Sequence, residues 1–400
     1  MKVLHLCKKI PYPLKDGESL AIHYLSKGLV ESGYSIDLLS LNTQKHYTTI
    51  DHKPAELSHF DRISSIDIDT SIRATAVISN LFSDKSYNIN RFYSLEFAQA
   101  LQKTLSEKNY DFIILETLYM AAYITDIRAV SAAFIIMRSH NLEHEIWNNL
   151  STKSNNPLKK WYFKLCSERL QNFEKLVQKD YDLLVPISTE DEMKYKELNF
   201  QGSSCVIPVG LDLSKYIIEE TNEKGLRIGY IGSLDWKPNL EGLDWFFGEV
   251  WTEIRNIYPG LEFHLAGRNY DGRYSKHSNK GLIIHGEVAD AISFISSLDV
   301  LLVPLFSGSG IRIKILEGMS LGKVVISTHK GFEGIPVSDR EDVLFFEDKA
   351  TLIEALSECI ENKKPMAELR SKARFVVEQN FTYTHLGNKL VTKMNSLLNS

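Results

Sequence analysis

The stretch FSGSGIRIKILEGMSLGKVVIST, from Phe306 to Thr328, places two glycines ahead of a helical pattern and a second apolar run. Ser309 and Gly310 are suited to cap a helix that Gly322 would end. The apolar positions of this helix recur at three- to four-residue steps, at Ile311, Ile315, Leu316 and Met319. The apolar run LDVLLVPL precedes the glycines and KVVIST closes the stretch, which is typical of buried parallel strands. The stretch therefore predicts a βαβ crossover.

A helix that starts at the carboxyl end of a parallel strand offers an anion free backbone N–H groups and the positive end of its dipole. Phosphate is the ligand that this arrangement favours. Arg312 and Lys314 would add positive charge beside it. From this stretch alone, the alternative is that the glycines only form a tight turn and that both cations are solvated.

The composition is that of an ordinary globular chain with more than one domain. Its 400 residues exceed one ordinary core, so two domains of roughly 150 to 200 residues are expected. The chain is 44% hydrophobic and 24% charged, with a formal charge of -5. This charge gives no overall attraction to nucleic acid or to an anionic membrane, so we expect no nucleic-acid partner.

The cysteines and the N-terminus indicate a cytoplasmic protein. Four cysteines lie far apart and form no CxxC pair: Cys7, Cys166, Cys205 and Cys359. This spacing argues against a zinc site and against a disulfide framework. The opening MKVLHLCKKI has an apolar run too short for a signal peptide, and no stretch approaches the ~18 apolar residues of a membrane span.

The alternation of apolar strands and helical stretches occurs twice. The first half contains the strand-like runs VLHLC, SIDLLSL, DFIILE, AAFIIM, YDLLVPIS and CVIPVG, and the second half LRIGYIG, LEFHLAG, LIIHG, DVLLVPL, KVVIST and VLFFED. Helices are predicted over residues 19–32, 143–179, 239–258, 290–297 and 350–362. The pattern predicts two doubly wound α/β domains, residues 1–212 and 225–380, with a polar boundary from Asp212 to Lys224. Residues 46–90 show no clear periodicity and are interpreted as an irregular insertion.

Seven motifs, in order along the chain, resemble the retaining glycosyltransferases of family 4, which have the GT-B fold. They are KKIPYPLKDGESLAIHYLSKGLVESGYSIDLLSL, RSHNLEHEIW, VIPVGLD, GYIGSLDWKPNLEGLDWF, FHLAGR, HGEVAD and GSGIRIKILEGMSLGKVVIST. The resemblance covers nearly the whole chain and is least distinctive over residues 51–110. It implies an acceptor-side N-terminal Rossmann-like domain and a nucleotide-sugar-binding C-terminal one, facing across a cleft. It also implies that the last helix, within residues 383–400, crosses back onto the first domain.

The resemblance further implies a reaction. A sugar would move from a nucleoside-diphosphate sugar, carrying UDP or GDP, to a hydroxyl of a glycan, lipid-linked or other glycoconjugate acceptor. In the implied retaining mechanism, the departing diphosphate helps to deprotonate the acceptor on the face that it leaves. We therefore name no protein general base, no cofactor and no metal, and the chain has no Asp-x-Asp of metal-site type. The run DID at residues 67–69 is interpreted as a solvated strand edge.

Two cations, Arg312 and Lys237, are predicted to stabilise the leaving diphosphate. Lys237 matches the lysine of the family's G-R-L-x-x-x-K-G-like segment, whereas Ser233 stands where that segment has arginine. Arg312 or Lys314 would replace the missing charge, and Arg312 is preferred because its planar fork suits phosphate. Two residues apart on a helix, they are not expected to face one ligand. Lys237 as a solvated turn residue and Lys314 as a solvated or packing residue are the alternatives.

Glu317 matches the second glutamate of the family's Glu-x7-Glu motif, which implies that it holds the ribose hydroxyls of the nucleotide. The first glutamate of the motif falls at Ser309. Donor-sugar contacts are therefore assigned to the Ser309 hydroxyl and to the backbone amides of Gly308, Ser309, Gly310 and Ile311. The alternative for Glu317 is an exposed helix residue paired with Lys314.

Two residues of the first domain are assigned to the site. Gly17 precedes the first helix and would let the backbone approach the diphosphate or the acceptor, with a simple turn glycine as the alternative. His140 ends the strand FIIMRSH, and the resemblance places it beside the donor sugar, where it would bond a hydroxyl or phosphate. A structural histidine is its alternative. His144 is interpreted as structural, and Arg138 as a rim residue or a partner of Glu143.

The helix over residues 157–173 interleaves basic side chains with Trp161, Tyr162, Phe163 and Leu165. Such a helix would dock on an anionic membrane, making the protein peripheral on the inner face of the cell membrane, or it would simply pack on its own domain.

Other classes of protein also use paired α/β domains. A nucleotide-sugar epimerase or a nicotinamide oxidoreductase would do so, but the first domain lacks the G-x-G-x-x-G turn of a dinucleotide site. A non-catalytic sugar-nucleotide-binding protein is the other alternative, motivated by Ser233 and Ser309.

Overall fold

The computed structural model of the chain describes residues 1–50, 52–72, 79–81, 83, 85–218, 226–308, 310–361 and 363–399, with 278–280 and 363–365 as backbone only. The chain forms two compact units. The first comprises Met1–Gly210 and Tyr383–Ser400, and the second comprises Leu211–Thr382. The polar boundary segment, Asp212 to Lys224, starts inside the second unit and from residue 219 onward lies outside the described residues.

The described part of the first unit is built on a seven-stranded parallel sheet. Its strands are β1 Lys2–Cys7, β2 Ser35–Thr43, β3 Arg62–Ile68, β4 Phe112–Glu116, β5 Phe134–Ser139, β6 Leu183–Pro186 and β7 Ser203–Ser204. Their spatial order is β3-β2-β1-β4-β5-β6-β7. The central strands are buried along almost their whole length, as expected for a parallel sheet covered on both faces. The strand order reverses between β1 and β4, which is the switch point of this sheet.

Helices cover this sheet on both faces. They are α1 Gly17–Glu31, α2 Tyr87–Asn90, α3 Leu95–Glu107, α4 Ile124–Arg128, α5 Glu143–Thr152, α6 Pro157–Val177 and α7 Thr189–Glu197. Asp16 caps α1, because its carboxylate accepts a hydrogen bond from the Ser19 N–H at 2.9 Å. The predicted single helix over residues 143–179 is wrong: α6 starts afresh with Asn156 as its N-cap and Pro157 in its first turn.

Residues 46–90 contain more regular structure than the sequence predicts. β3 pairs in parallel with β2 from Arg62 to Ile68. Its side chains are exposed or only partly buried, because it is an edge strand of the sheet. A search for continuous apolar runs misses such a strand. Residues 51, 73–78, 82 and 84 lie outside the described residues.

The run CVIPVG, predicted as a strand, is only partly paired. The assigned strand β7 precedes it at Ser203–Ser204. Cys205 N–H and Ile207 N–H still donate to backbone carbonyls of β6, each at 2.9 Å. The run therefore lies along β6 without forming a full ladder.

The described part of the second unit is built on a six-stranded parallel sheet. Its strands are β8 Arg227–Ile231, β9 Glu262–Ala266, β10 Leu282–Gly286, β11 Val300–Val303, β12 Val324–Ser327 and β13 Leu344–Phe345. Their order is β10-β9-β8-β11-β12-β13, with the reversal between β8 and β11. Each predicted apolar run of the second half contains one of these strands, and the doubly wound α/β class is confirmed for both units.

The helices of the second unit cover both faces of its sheet. They are α8 Lys237–Trp245, α9 Trp251–Ile257, α10 Ala291–Ser296, α11 Ile313–Ser320, α12 Lys349–Glu361 and α13 Lys363–Asn380. A π-helical turn, Phe246–Val250, joins α8 to α9. The last helix, α14 Tyr383–Leu398, packs against α1 within the first unit. The two helices meet at Gly28 and Gly387, where a Cβ on Gly28 would lie 2.4 Å from the carbonyl oxygen of Tyr383.

Candidate functional site

Two segments that carry predicted site residues lie at the switch point of the second sheet. β8 ends at Ile231 and continues into Gly232 and Ser233. β11 ends at Val303 and continues into the loop of residues 304–312. Because β8 and β11 are parallel neighbours, both segments leave the sheet at the same edge. Ligands of doubly wound sheets bind at this position.

Two left-handed residues shape the loop ahead of α11. Gly308 has φ 100° and Gly310 has φ 82°, values that residues with a side chain rarely adopt. Such backbone does not continue a right-handed helix, so α11 begins at Ile313 with Arg312 as its N-cap. The helix start expected at Ser309 and Gly310 is therefore wrong. Ser309 itself lies outside the described residues.

Arg312 is buried beside this loop. Its Nη1 donates a hydrogen bond to the Gly310 carbonyl oxygen at 2.5 Å. Its guanidinium carbon lies 5.9 Å from the centroid of the Trp236 ring. Burial lowers the pKa of Arg312, and the nearby Glu333 carboxylate opposes that effect. A guanidinium nevertheless keeps its charge in proteins, so the loop carries a fixed positive charge.

Lys314 points toward the end of β8. Its Nζ donates hydrogen bonds to the Tyr230 hydroxyl at 2.8 Å and to Asn239 Oδ1 at 3.3 Å. A Cβ on Gly232 would lie 2.5 Å from this Nζ, so the glycine makes room for the ammonium group. Burial, reinforced by Arg312, lowers the pKa of Lys314 to about 7. A fully solvated Lys314, one of the sequence alternatives, is wrong.

Glu317 lies one turn further along α11, and its Oε1 accepts a hydrogen bond from the Tyr216 hydroxyl at 3.3 Å. Burial raises the pKa of Glu317 from 4.5 to about 7. The stability that the protonated carboxyl contributes is complete below pH 4.5 and is lost as the pH rises through about 7. A charged Glu317 is thus less favourable in this site than in water. Groups with such shifted pKa values concentrate at functional sites.

Ser233, the residue that departs from the family pattern, has an arginine next to it in the structure. Arg268 Nε donates a hydrogen bond to Ser233 Oγ at 3.1 Å. Ser233 Oγ in turn donates to Asp235 Oδ1 at 2.5 Å. Arg268 follows the end of β9, the strand beside β8, so it reaches the same sheet edge. The sequence alone predicts no role for Arg268, although an arginine two residues past the end of a strand is the available signal.

Lys237 begins α8, and its side chain is exposed. It makes no ion pair with the residues that the structure describes, which leaves its role as a diphosphate contact a prediction. Ile311 packs its partly buried side chain against the core cluster below α11. Its backbone amide as a donor-sugar contact also stays a prediction.

In the first unit, His140 belongs to a buried charge cluster. Its Nε2 contacts Oε1 of Glu116, a carboxylate with no exposed surface. The same carboxylate lies 2.7 Å from His5 Nε2 and 3.1 Å from Arg138 Nε. Burial alone would raise the pKa of Glu116, but Arg138 and His140 hold it below its ordinary value. An ionised carboxylate therefore fixes the orientation of the His140 ring.

The structure also shows the surroundings of Arg138, His144 and Gly17. Arg138 pairs with Glu116, and the suggested pairing with Glu143 is wrong. His144 Nδ1 contacts Glu174 Oε2, and both side chains are buried, which agrees with a structural role. Gly17 is the first residue of α1, directly after the Asp16 cap, and it is exposed.

In the described residues no three His, Cys, Asp or Glu side chains are grouped so as to hold a metal ion. Among the described helices, none combines the length and the apolar content needed to cross a bilayer.

Comparisons with known proteins extend this picture. Residues 225–362 match the family model described as Glycosyl transferases group 1. A Klebsiella pneumoniae protein described as an uncharacterized 44.6 kDa protein in the cps region is 22% identical over 394 residues, covering 95% of this chain and 96% of that protein.

Solved structures are similar over almost the entire chain. Sucrose-phosphate synthase from Thermosynechococcus elongatus has a TM-score of 0.71 at 14% identity, with 100% of both chains covered. Anabaena HepE, solved in complex with UDP, has a TM-score of 0.66 at 14% identity, covering 99% of this chain and 100% of that one. The chain has the GT-B fold of these structures, and residues 225–362 match the glycosyl transferases group 1 model, a match that supports a sugar-transfer function.

Proposed function

We propose that the protein is a retaining, metal-independent glycosyltransferase of the family 4 type. It would move a sugar from a UDP-sugar or GDP-sugar to a hydroxyl of a glycan or lipid-linked acceptor. The observation that carries the proposal is the grouping of Arg312, Lys314 and Glu317 around the β8–β11 switch point, inside the region that matches the family model. A diphosphate needs cations and a ribose needs a carboxylate acceptor. HepE, which has a similar fold, is solved in complex with UDP, the leaving group expected of a UDP-sugar donor.

The cations of the switch point would act on the leaving group. Negative charge grows on the diphosphate as the glycosidic bond breaks, so preorganised positive charge lowers the barrier. Arg312 supplies a permanent charge held against the glycine loop, and Lys237 and Lys314 supply ammonium groups. A bound diphosphate would raise the pKa of Lys314 and favour its charged form. Glu317 would accept hydrogen bonds from the ribose hydroxyls, while Gly308, Gly310 and Ile311 would offer backbone amides to the donor sugar.

In the first unit, we assign His140 a hydrogen bond to the donor sugar and Gly17 a close backbone approach to the substrates. Because Glu116 accepts from one ring nitrogen of His140, the other nitrogen is held in one direction. Comparing the anomeric configuration of donor and product by NMR tests whether the reaction retains it.

A non-catalytic sugar-nucleotide-binding protein is less well supported than an enzyme. That alternative relied on the charge missing at Ser233. Arg268 places a guanidinium within hydrogen-bonding distance of that serine, beside the Asp235 carboxylate that the serine also contacts, so a cation from the next strand lies at this position. Turnover of donor by the parent protein would decide between them.

We predict that one nucleoside diphosphate stabilises the protein and that Glu317→Gln removes most of this response. At about 100 times the dissociation constant, a ligand adds roughly 2.7 kcal/mol of stability. Thermal unfolding with UDP, GDP, ADP, CDP and NAD measures the effect. Because an ionised Glu317 costs stability, the ligand-free variant should unfold at the same or a higher temperature than the parent at pH 8, with the difference shrinking toward pH 5.

Glu249→Gln is the matched control, since Glu249 is an exposed carboxylate of the same unit. It should respond to nucleotide as the parent does. A nucleotide response that Glu317→Gln keeps in full would contradict the ribose role, and a response to NAD alone would overturn the proposed donor.

We also propose that α5 and α6 bring the enzyme onto an anionic membrane surface. Leu158 and Trp161, one turn apart on α6, are 77% and 57% exposed, and Lys159 and Lys160 are exposed beside them. Ile146 on α5 is exposed as well. Exposed aromatic and aliphatic side chains interleaved with lysines suit an interface between acyl chains and anionic headgroups.

Replacing Leu158 and Trp161 together by serine should lower binding to phosphatidylglycerol-containing vesicles at least ten-fold, because each buried apolar side chain contributes about 1.5–3 kcal/mol. Cosedimentation measures it. Leu176→Ser is the control, because Leu176 is equally exposed near the far end of α6. Equal vesicle binding by all three proteins would rule out this surface.

A further inference from the structure

A cavity of about 540 Å³ lies at the carboxyl edge of the first sheet. Its described lining follows four neighbouring strands and one helix: Lys8 and Lys9 after β1, Thr43 to His46 at the end of β2, Thr70 to Ile72 after β3, Tyr119 after β4, and Arg91 and Phe92 after α2. The sheet order reverses between β1 and β4, so the cavity occupies the switch point of the first sheet. None of these side chains has a role in the site described above.

Two of the lysines that line the cavity are already paired. Lys8 Nζ lies 3.2 Å from Glu18 Oε2, and Lys9 Nζ lies 2.7 Å from Asp16 Oδ2. Both carboxylates belong to the start of α1 and stand outside the lining. These pairs hold the two lysines in place but leave little net charge.

Lys45 and Arg91 supply the excess positive charge. No described residue forms an ion pair with either side chain. Arg91 stacks its guanidinium carbon 5.1 Å from the centroid of the Phe92 ring, and its buried Nε has no hydrogen-bond partner in the described structure. His46 also lines the cavity, and burial together with Lys9 and Lys45 lowers its pKa, which favours the neutral imidazole. The described lining contains no carboxylate.

We propose that this cavity binds a phosphate or diphosphate group carried by the acceptor, with Arg91 and Lys45 as its principal cations. An arginine fork and a lysine match the charge of a phosphoryl group, and Thr43, Thr70 and Ser71 add hydroxyl donors. The concave shape of the cavity concentrates the field of its cations. Its volume lies within the range of roughly 300 to 1,000 Å³ that is usual for small-molecule sites. The inference rests on the proposed function and on the family resemblance, which implies that the N-terminal domain is the acceptor side of the reaction.

Calorimetric titration of the full chain with inorganic diphosphate tests the proposal. Arg91→Gln should weaken binding about ten-fold, and the double variant Arg91→Gln/Lys45→Gln about a hundred-fold, as expected for the loss of charge-assisted contacts. Lys103→Gln, an exposed lysine of α3, is the matched control and should bind as the parent does. The series is repeated with Arg312→Gln added to every protein, which weakens diphosphate binding at the donor site. The ratios of diphosphate affinity between the variants should stay the same if the cavity is a separate site. Lys45 is exposed, so Lys45→Gln alone tests the charge even if Arg91→Gln folds poorly.

The source of the phosphoryl group is identified by two further probes, glucose 6-phosphate and farnesyl diphosphate. Preference for the first indicates a soluble sugar phosphate, and preference for the second a lipid-linked diphosphate; both support the proposal when they depend on Lys45 and Arg91. The proposal would be overturned if glucuronate bound as tightly as the phosphorylated probes, or if diphosphate binding did not depend on Lys45 and Arg91. If diphosphate binding depends on Arg91 while no nucleotide stabilises the chain, the proposed function fails and the anion site stands.

Discussion

Replacing Arg312 by glutamine is expected to slow turnover of the sugar donor roughly 10² to 10³-fold, equivalent to about 3 to 4 kcal/mol of transition-state stabilisation. Arg312 is the one permanent cation among the three residues grouped around the switch point, because Lys314 has a pKa of about 7. Its Nη1 bond to the Gly310 carbonyl also holds the loop that would receive the donor sugar. Release of nucleoside diphosphate from the sugar nucleotide, with water as the acceptor, measures the loss without a known acceptor.

Two further variants separate charge from general damage. Arg312→Lys keeps a positive charge but not the planar fork, so it should recover part of the activity. Arg227→Gln removes an exposed arginine at the amino end of β8, the opposite end from the site, and should leave turnover unchanged. Donor turnover by Arg312→Gln within three-fold of the parent would remove Arg312 from the catalytic machinery.

The fold was largely predictable because buried parallel strands are continuous apolar runs. Those runs located the central strands of both sheets, but they missed the edge strand β3, in which polar residues separate Ile63, Ile66 and Ile68. The start of α11 was predicted wrongly for a different reason. Residue types permit a cap at Gly310, but the observed φ of 82° is a property of the loop as a whole and is not set by the residue alone.

The chemistry of the site was less predictable, since it depends on contacts between distant segments. Lys314 is oriented by Tyr230 and Asn239, which lie 84 and 75 positions away in the chain. Arg268 reaches Ser233 from the neighbouring strand across 35 positions. Spacing within one helix cannot reveal such partners. For the same reason no local motif predicts the cationic cavity of the first unit, because the residues that line it follow four different strands.

The two switch points give the proposed reaction a consistent charge arrangement. In the proposed reaction, the cations at the carboxyl edge of the second sheet would stabilise the leaving diphosphate, and the first unit also places cations at the carboxyl edge of its own sheet. Positive charge at both edges would favour a donor and an acceptor that are both anionic. It also agrees with a chain whose net charge of -5 gives no general attraction for anions, so that recognition depends on local sites.

Gly242→Ala is expected to destabilise the second unit by about 3 kcal/mol, lowering its unfolding temperature by roughly 6 to 12 °C. Gly242 lies on the buried face of α8, and a Cβ there would stand 1.6 Å from the carbonyl oxygen of Pro304. This distance is far below any contact that atoms tolerate, so α8 would have to move away from the end of β11. Lys237 and Asn239 lie on the same helix, so the nucleotide response should weaken as well.

Gly248→Ala is the matched control, because nothing lies within 4 Å of a Cβ at Gly248. In that helical segment alanine should stabilise by up to about 1 kcal/mol, the usual difference between the two residues in helices. Differential scanning calorimetry with and without the stabilising nucleotide compares the two variants directly. If Gly242→Ala unfolds at the same temperature as the parent, α8 can move at little cost in free energy. The close approach of Gly242 to Pro304 would then not be what fixes Asn239 beside Lys314. If instead the temperature falls and nucleotide binding weakens with it, a single glycine contact couples the packing of the second sheet to the geometry of its binding edge.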